Sequence, residues 1–239
     1  MKNTLVDYRH DNTELEGYAA WDGANEKRRP GVLVIHEWMG IGPHERHSCD
    51  ELAHAGYLGF AADIFGKHDR PKNVNEAVEY ATRYRAGERA LLRARAQAGL
   101  AALRAQSQCD PDRLAVIGFC FGGTAALELA RSGAAVRATV SFHGGLSTER
   151  PGDARQIRGA VLALHGADDP FVPKTDVDAF EEEMRRGKID WQLVKYGSAV
   201  HSFTNPQAGN DVSKGAAYDR RAAERGWRAM LDLFSEVFA

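Results

Sequence analysis

The eight-residue stretch Val116-Ile117-Gly118-Phe119-Cys120-Phe121-Gly122-Gly123 leaves a chain little choice about the backbone on either side of it. Ala115, Val116 and Ile117 read as a short buried strand, and Thr124 to Ala130 continues as a helix. Between them Gly118 and Gly122 bracket Cys120 in a Gly-x-Cys-x-Gly pattern. A side chain carried on so tight a strand-to-helix turn sits in strained φ/ψ, and the flanking positions have no room for a Cβ. The Cys120 sulfur is then presented at the end of a sheet, and the Phe121 N–H lies at a helix N-terminus, where an anion is favoured. A buried structural cysteine is the plainer reading of any cysteine between a core strand and a helix. Glycines at both minus two and plus two argue against it.

The flanking chain sets the fold class. Gly31-Val-Leu-Val-Ile-His36 is a continuous apolar run, expected of a strand buried on both faces of a parallel sheet. Further strands are expected at Leu5–Tyr8, Leu15–Trp21, Leu58–Phe65, Val136–Phe142, Ala160–His165 and Asp190–Tyr196. The pattern predicts helices over Pro43–Ala55, Asn73–Arg85, Glu88–Gln106, Lys174–Arg186 (stopped by Gly187) and Tyr218–Phe238. Asn25 to Pro30 reads as a charged loop, and Asp110–Arg113 as a turn before the Cys120 strand. Strands alternate with helices, which means an α/β chain with a mainly parallel sheet and helices on both faces. Active sites of such sheets lie at the carboxyl ends of the strands, where His36, Cys120, His143 and His165 fall. Strand, cysteine turn and helix together resemble the nucleophile elbow of the α/β-hydrolase fold, with cysteine where serine is usual.

Composition limits the rest. At 239 residues, 44% hydrophobic and 27% charged, the chain suits one globular domain with a sizeable core, which the elbow's resemblance makes a single α/β-hydrolase domain spanning 1–239. A net charge of −2 gives no case for a nucleic-acid or membrane partner. No apolar run reaches membrane-spanning length, and the N-terminal residues lack a signal peptide's apolar core. Three scattered cysteines, Cys49, Cys109 and Cys120, argue against a disulfide framework and for a reducing cytoplasm. No Cys-x-x-Cys pair supports a redox role, and His44 and His47 lack the further ligands of a zinc set. Neither a metal nor an organic cofactor is implied, and the oligomeric state is not readable.

A cysteine nucleophile requires a base, and the base an orienting carboxylate. In this fold they follow the nucleophile in the order acid, then histidine. Leu164-His-Gly-Ala-Asp-Asp-Pro-Phe-Val-Pro173 follows a core strand and offers Asp169, which Pro170 biases toward extended geometry; Asp168 is the near alternative. Val200-His201-Ser-Phe-Thr-Asn-Pro206 follows the last strand and offers His201. His143 and His165 precede the acid and break the expected order. The second oxyanion donor is expected in the loop after Ile35, so the backbone N–H groups of Trp38 and Phe121 are the pair aimed at the developing charge. Glu37, a carboxylate directly after a buried strand, is either a loop residue or a second acid beside Cys120. Phe171, with Trp38 and Phe121, suggests an apolar cleft wall.

Three blocks, Val34-Ile-His-Glu-Trp-Met-Gly40, Gly118-Phe-Cys-Phe-Gly-Gly123 and His201-Ser-Phe-Thr-Asn-Pro206, resemble the dienelactone hydrolase (carboxymethylenebutenolidase) family of α/β hydrolases. With Gly166–Pro173 they span most of the chain. The resemblance implies a Cys120–His201–Asp169 triad acting on a small ester or lactone through a thioester. It also implies that Glu37 holds the resting thiol near neutral and accepts its proton when substrate displaces it. Dienelactone hydrolases proper hold a substrate carboxylate with arginines; Asn205 stands at one of those positions here, and Arg83 or Arg85 is the candidate for the other. A thioesterase or peptidase-like acyl hydrolase on the same triad, and a catalytically silent scaffold, are the competing readings.

Overall fold

The apolar run after Arg29 is the expected buried strand, β3 (Arg29–Ile35), with Val32 to Ile35 fully enclosed. The structure, a computed structural model, describes residues 1–24 and 27–239, with Glu88 by its backbone alone. Its two compact units, Met1–Ile117 and Gly118–Ala239, are taken in turn.

The first unit holds β1 (Lys2–His10), β2 (Thr13–Trp21), β3, α1 (Pro43–His54), β4 (Leu58–Ala62), α2 (Val74–Arg85), α3 (Ala90–Arg104) and most of β5 (Cys109–Phe119). The strand order is β1-β2-β4-β3-β5. β1 and β2 form an antiparallel hairpin, and β3 runs parallel to β4 with Gly31 opposite Leu58. Helices lie on both faces of β4. A Cβ on Gly59 would stand 2.7 Å from the Cys49 backbone of α1. One on Gly99 of α3 would stand 2.7 Å from Ala62. Residues 59 and 62 are an odd number apart on one strand, so they face opposite ways.

The second unit holds α4 (Phe121–Arg131), β6 (Ala138–Phe142), β7 (Ala160–Gly166), α5 (Lys174–Gly187), β8 (Trp191–Tyr196) and α6 (Arg220–Val237). Its strands are ordered β6-β7-β8 and are parallel, with Val161 opposite Trp191. Val161 and Ala163 on one face join a cluster with Leu127 of α4 and Val177, Phe180 and Met184 of α5. Leu164 faces the other way, toward Gly226 of α6. Beneath the cluster Arg131 is wholly buried, bound through both ends of its guanidinium to Glu183 (2.8 and 2.6 Å) and to Glu128 at 3.1 Å.

Several boundaries differ from the sequence pattern, each for a local reason. β4 stops at Ala62, short of Phe65, because Asp63 Oδ1 accepts the N–H groups of Phe65 (3.0 Å) and Gly66 (3.1 Å) and turns the chain. β5 already begins at Cys109, so the expected turn at Asp110–Arg113 is extended strand. The helix expected over Glu88–Gln106 starts after a 3₁₀ turn at Gly87–Arg89 and ends at Arg104. Gly187 does not stop α5; it is the last helical residue, and Lys188 takes the left-handed conformation instead (φ 57°). β6 begins at Ala138 rather than Val136. Of the expected charged loop, 25 and 26 lie outside the described residues. Arg29 is a buried strand residue whose guanidinium donates to the Lys27 and Asp22 carbonyls. Among the described residues no helix is long and apolar enough to cross a membrane, and no cluster of His, Cys, Asp and Glu could hold a metal ion.

Candidate active site

Cys120 is the turn between β5 and α4, with φ 53° and ψ −115°, a conformation costly for any residue with a Cβ. The surroundings impose it. A Cβ on Gly118 would lie 2.0 Å from the Gly122 carbonyl oxygen. The second close approach is at Gly123, whose Cβ would stand 2.8 Å from Gly144 Cα, so α4 meets the end of β6 backbone to backbone. The Cys120 carbonyl accepts from Gly123 (3.0 Å) and Thr124 (3.3 Å), the first turn of α4. That turn puts the Phe121 N–H at a helix N-terminus beside a half-buried sulfur.

Asp169 follows β7 and is buried, while Asp168 is exposed; the structure therefore brings Asp169 to His201. Asp169 Oδ1 accepts the Phe171 N–H at 2.8 Å, and Oδ2 lies 2.8 Å from His201 Nδ1. Gly166 makes this meeting feasible, since a Cβ there would strike the Val200 carbonyl at 2.6 Å. The His201 backbone is gripped by Gly215 O (3.1 Å) and the Ala217 N–H (3.0 Å), and its ring interacts electrostatically with the Cys120 side chain. Burial alone would lower the His201 pKa. The Cys120 charge, the hydrogen bonds to Asp169 and Cys120, and the Asp169 charge outweigh burial and push it up to about 10. Beside a charged Cys120 sulfur, His201 is held as an imidazolium. Phe171, 61% exposed, stands edge-on to His201 with ring centroids 5.4 Å apart.

The two histidines outside the expected order are both buried. Burial holds the His165 pKa down. His143, at φ 41°, accepts the Cys120 N–H on Nδ1 (3.1 Å) and meets Thr204 Oγ1 through Nε2 (2.7 Å). Sequence reasoning set it aside as a triad member and missed this contact. Its only sequence signal is its place at a strand end before Gly144.

In the first unit, the loop after β3 is fastened by two buried side chains. His36 Nδ1 meets the Glu37 carbonyl at 2.6 Å, and Nε2 accepts the Ile64 N–H at 3.1 Å. The proton is therefore on Nδ1, in keeping with burial, which lowers the His36 pKa. Glu45 Oε1 accepts the Glu37 N–H (3.1 Å) and Oε2 the Gly42 N–H (2.8 Å). Glu37 is 9% exposed and Trp38 half-buried. Arg83 lies 3.4 Å from Asp69 and stacks 4.4 Å over the Tyr80 ring, and Arg85 is exposed on the last turn of α2. Asn205 Oδ1 accepts the Gln207 N–H at 2.9 Å, capping a short turn.

Parallel strands, helices on both faces and a strained elbow between β5 and α4 make this an α/β-hydrolase fold. Comparison with known proteins narrows the class. The sequence profile of the dienelactone hydrolase family matches residues 15–238. A solved dienelactone hydrolase-like promiscuous phosphotriesterase from metagenomic libraries is 44% identical, covers 99% of this chain and 98% of its own, and superposes with a TM-score of 0.94. An uncharacterized protein of Caenorhabditis elegans is 38% identical over 62% of this chain and 95% of its own. A Synechocystis protein named as a candidate carboxymethylenebutenolidase is 27% identical over 98% of this chain and 96% of its own. The chain belongs to the dienelactone hydrolase family. It is a hydrolase.

Proposed function

We propose that the protein hydrolyses small carboxylic esters or lactones through a thioester on Cys120, with His201 as acid and base and Asp169 orienting it. The observation that carries this reading is the strained Cys120 at the start of α4, electrostatically coupled to a His201 that Asp169 holds at 2.8 Å. In the first step the Cys120 thiolate attacks the carbonyl carbon, and the Phe121 N–H at the start of α4 takes the oxyanion. Collapse breaks the ester C–O bond, and the departing oxygen takes the His201 proton; in a lactone it stays tethered to the acyl chain. Forming the thioester discharges the sulfur, which removes the largest influence raising the His201 pKa. His201 is then a free base able to take a proton from water as that water attacks the thioester. Breaking the C–S bond restores thiolate and imidazolium. Amides are poor substrates in this scheme, because the thiolate leaves the tetrahedral intermediate before an amine does.

The family resemblance implies Trp38 as the second oxyanion donor and a Glu37 that holds the resting sulfur as a neutral thiol; a neutral thiol puts no charge on His201, so titration of His201 distinguishes that resting state from the thiolate–imidazolium pair. Substrate charge is the finer point. Arg83 is engaged by Asp69 and Tyr80, and Asn205 Oδ1 by Gln207, which favours a neutral ester or lactone over an anionic dienelactone. Phe171 beside His201 supplies an apolar wall for it.

The test is hydrolysis of a p-nitrophenyl ester, a dienelactone, an acyl thioester and, given the 44%-identical phosphotriesterase, an aryl phosphotriester. Wild type should turn over the neutral ester fastest, and Cys120→Ala should lose all turnover while keeping its circular-dichroism spectrum. Turnover that survives in Cys120→Ala would refute the mechanism. A dienelactone preferred over every neutral ester would refute the charge argument alone.

A further inference from the structure

Cys120 is not the only strained residue beside the sulfur. His143, at the end of β6, is fully buried and holds φ at 41°. The two residues face one another across Gly123 and Gly144, where no side chain fits between them. Strained conformations persist only where neighbouring structure over-determines them. Here the Cys120 N–H is held twice, by the Phe142 carbonyl at 3.0 Å and by His143 Nδ1 at 3.1 Å. His143 is itself held by its own N–H on the Leu164 carbonyl (2.8 Å).

We propose that His143 is a positioning residue, a neutral imidazole that clamps the amide of the nucleophile to the loop carrying the base. The hydrogen bonds dictate its chemistry. Nδ1 must offer a lone pair to accept from the Cys120 N–H, so the proton is on Nε2, where it is donated to Thr204 Oγ1 at 2.7 Å. Thr204 lies three residues beyond His201. The ring also packs edge-on against His201 (5.3 Å) and Phe203 (5.0 Å). One side chain thus touches the backbone that aims the sulfur, the ring proposed as acid and base, and the loop that carries that ring. Fixing the Cys120 amide sets φ, and φ sets the Cα–Cβ direction and so the place of Sγ relative to His201 and the Phe121 N–H. A shift near 1 Å in such a geometry costs about 100-fold in rate.

The inference rests on reading Cys120 as the nucleophile, and the experiment separates the two. His143→Asn and His143→Leu have the same shape, and only the first offers an acceptor in place of Nδ1. Thr204→Val removes the hydroxyl at the other end. Steady-state kinetics on a p-nitrophenyl ester and the rate of Cys120 alkylation by iodoacetamide, followed by mass spectrometry, are measured on all three. The expected result is a kcat lowered about 100-fold in His143→Leu with KM within about twofold, substantial recovery in His143→Asn, and an intermediate loss in Thr204→Val. The alkylation rate should fall in the same order, and it reports on the sulfur whether or not Cys120 is the nucleophile. Equal losses in Asn and Leu, a change confined to KM, or alkylation unchanged in His143→Leu would overturn the proposal. Should His143→Leu fail to fold, His143→Asn and Thr204→Val decide the matter: wild-type kcat and alkylation in Thr204→Val, or an inactive folded His143→Asn, overturns it.

Discussion

Removing the Cys120 sulfur should lower the pKa of a histidine that nobody has touched. His201 stands at about 10, and of the influences raising it the Cys120 charge is the largest, with a second contribution from the Cys120 hydrogen bond. An opposite charge at close range moves a pKa by about 1 to 3 units, and each unit corresponds to about 1.4 kcal/mol. Cys120→Ala should therefore bring His201 down to about 7 to 9, the remainder of the rise being held by Asp169 at 2.8 Å. The sign is unambiguous. The pKa is raised, so the imidazolium persists from acid up to about pH 10 in the wild type, and deprotonation moves to lower pH in the variant. Long-range ¹H–¹⁵N correlation spectra of histidine-labelled protein between pH 5 and 11 follow the ring nitrogens directly. Cys120→Ser serves as the control that keeps a hydrogen bond without the charge, and it should resemble Cys120→Ala. A wild-type His201 titrating near 6.5, or one unmoved by Cys120→Ala, would refute the reasoning. It would also remove the charge switch proposed above, in which acylation turns His201 from acid to base.

Two further changes separate fold from chemistry. Arg131→Ala leaves Glu128 and Glu183 buried without the guanidinium that binds both, so urea unfolding should show a loss of about 3 to 5 kcal/mol; a loss under about 1 kcal/mol would mean that the two carboxylates find other partners. Glu37→Gln should slow acylation in single-turnover experiments and alter the reactivity of Cys120 toward iodoacetamide; wild-type behaviour in both would take Glu37 out of the mechanism.

What the sequence made legible was whatever local pattern determines. The elbow announces itself because its steric demands allow few residues at Gly118 and Cys120, and the strained φ of Cys120 follows from them. β3 is readable because a strand buried on both faces is apolar throughout. The errors lie where a side chain competes with the backbone. Asp63 ends β4 by taking two N–H groups, which an apolar run cannot foretell. Lys188, not Gly187, takes the left-handed turn after α5. Pro170 already favoured Asp169 over Asp168 in the sequence, and the fold adds that of these two loop neighbours Asp169 is turned inward and Asp168 outward. His143 was the hardest to see. Its contacts, 23 residues away at Cys120 and 61 away at Thr204, exist only once β6 has been laid against α4.

The absent Cβ atoms at Gly118, Gly123 and Gly144 also bear on how such an enzyme changes over generations. At those three positions even a methyl group meets backbone, so nearly every mutant there is lost with the fold. At Cys120 the strain belongs to the main chain and is the same for any short β-substituent, so exchanging sulfur for oxygen, a single base change in the codon, leaves the scaffold intact. The sulfur is thus the part that can be exchanged without disturbing the fold, and the empty space around it the part that heredity must keep.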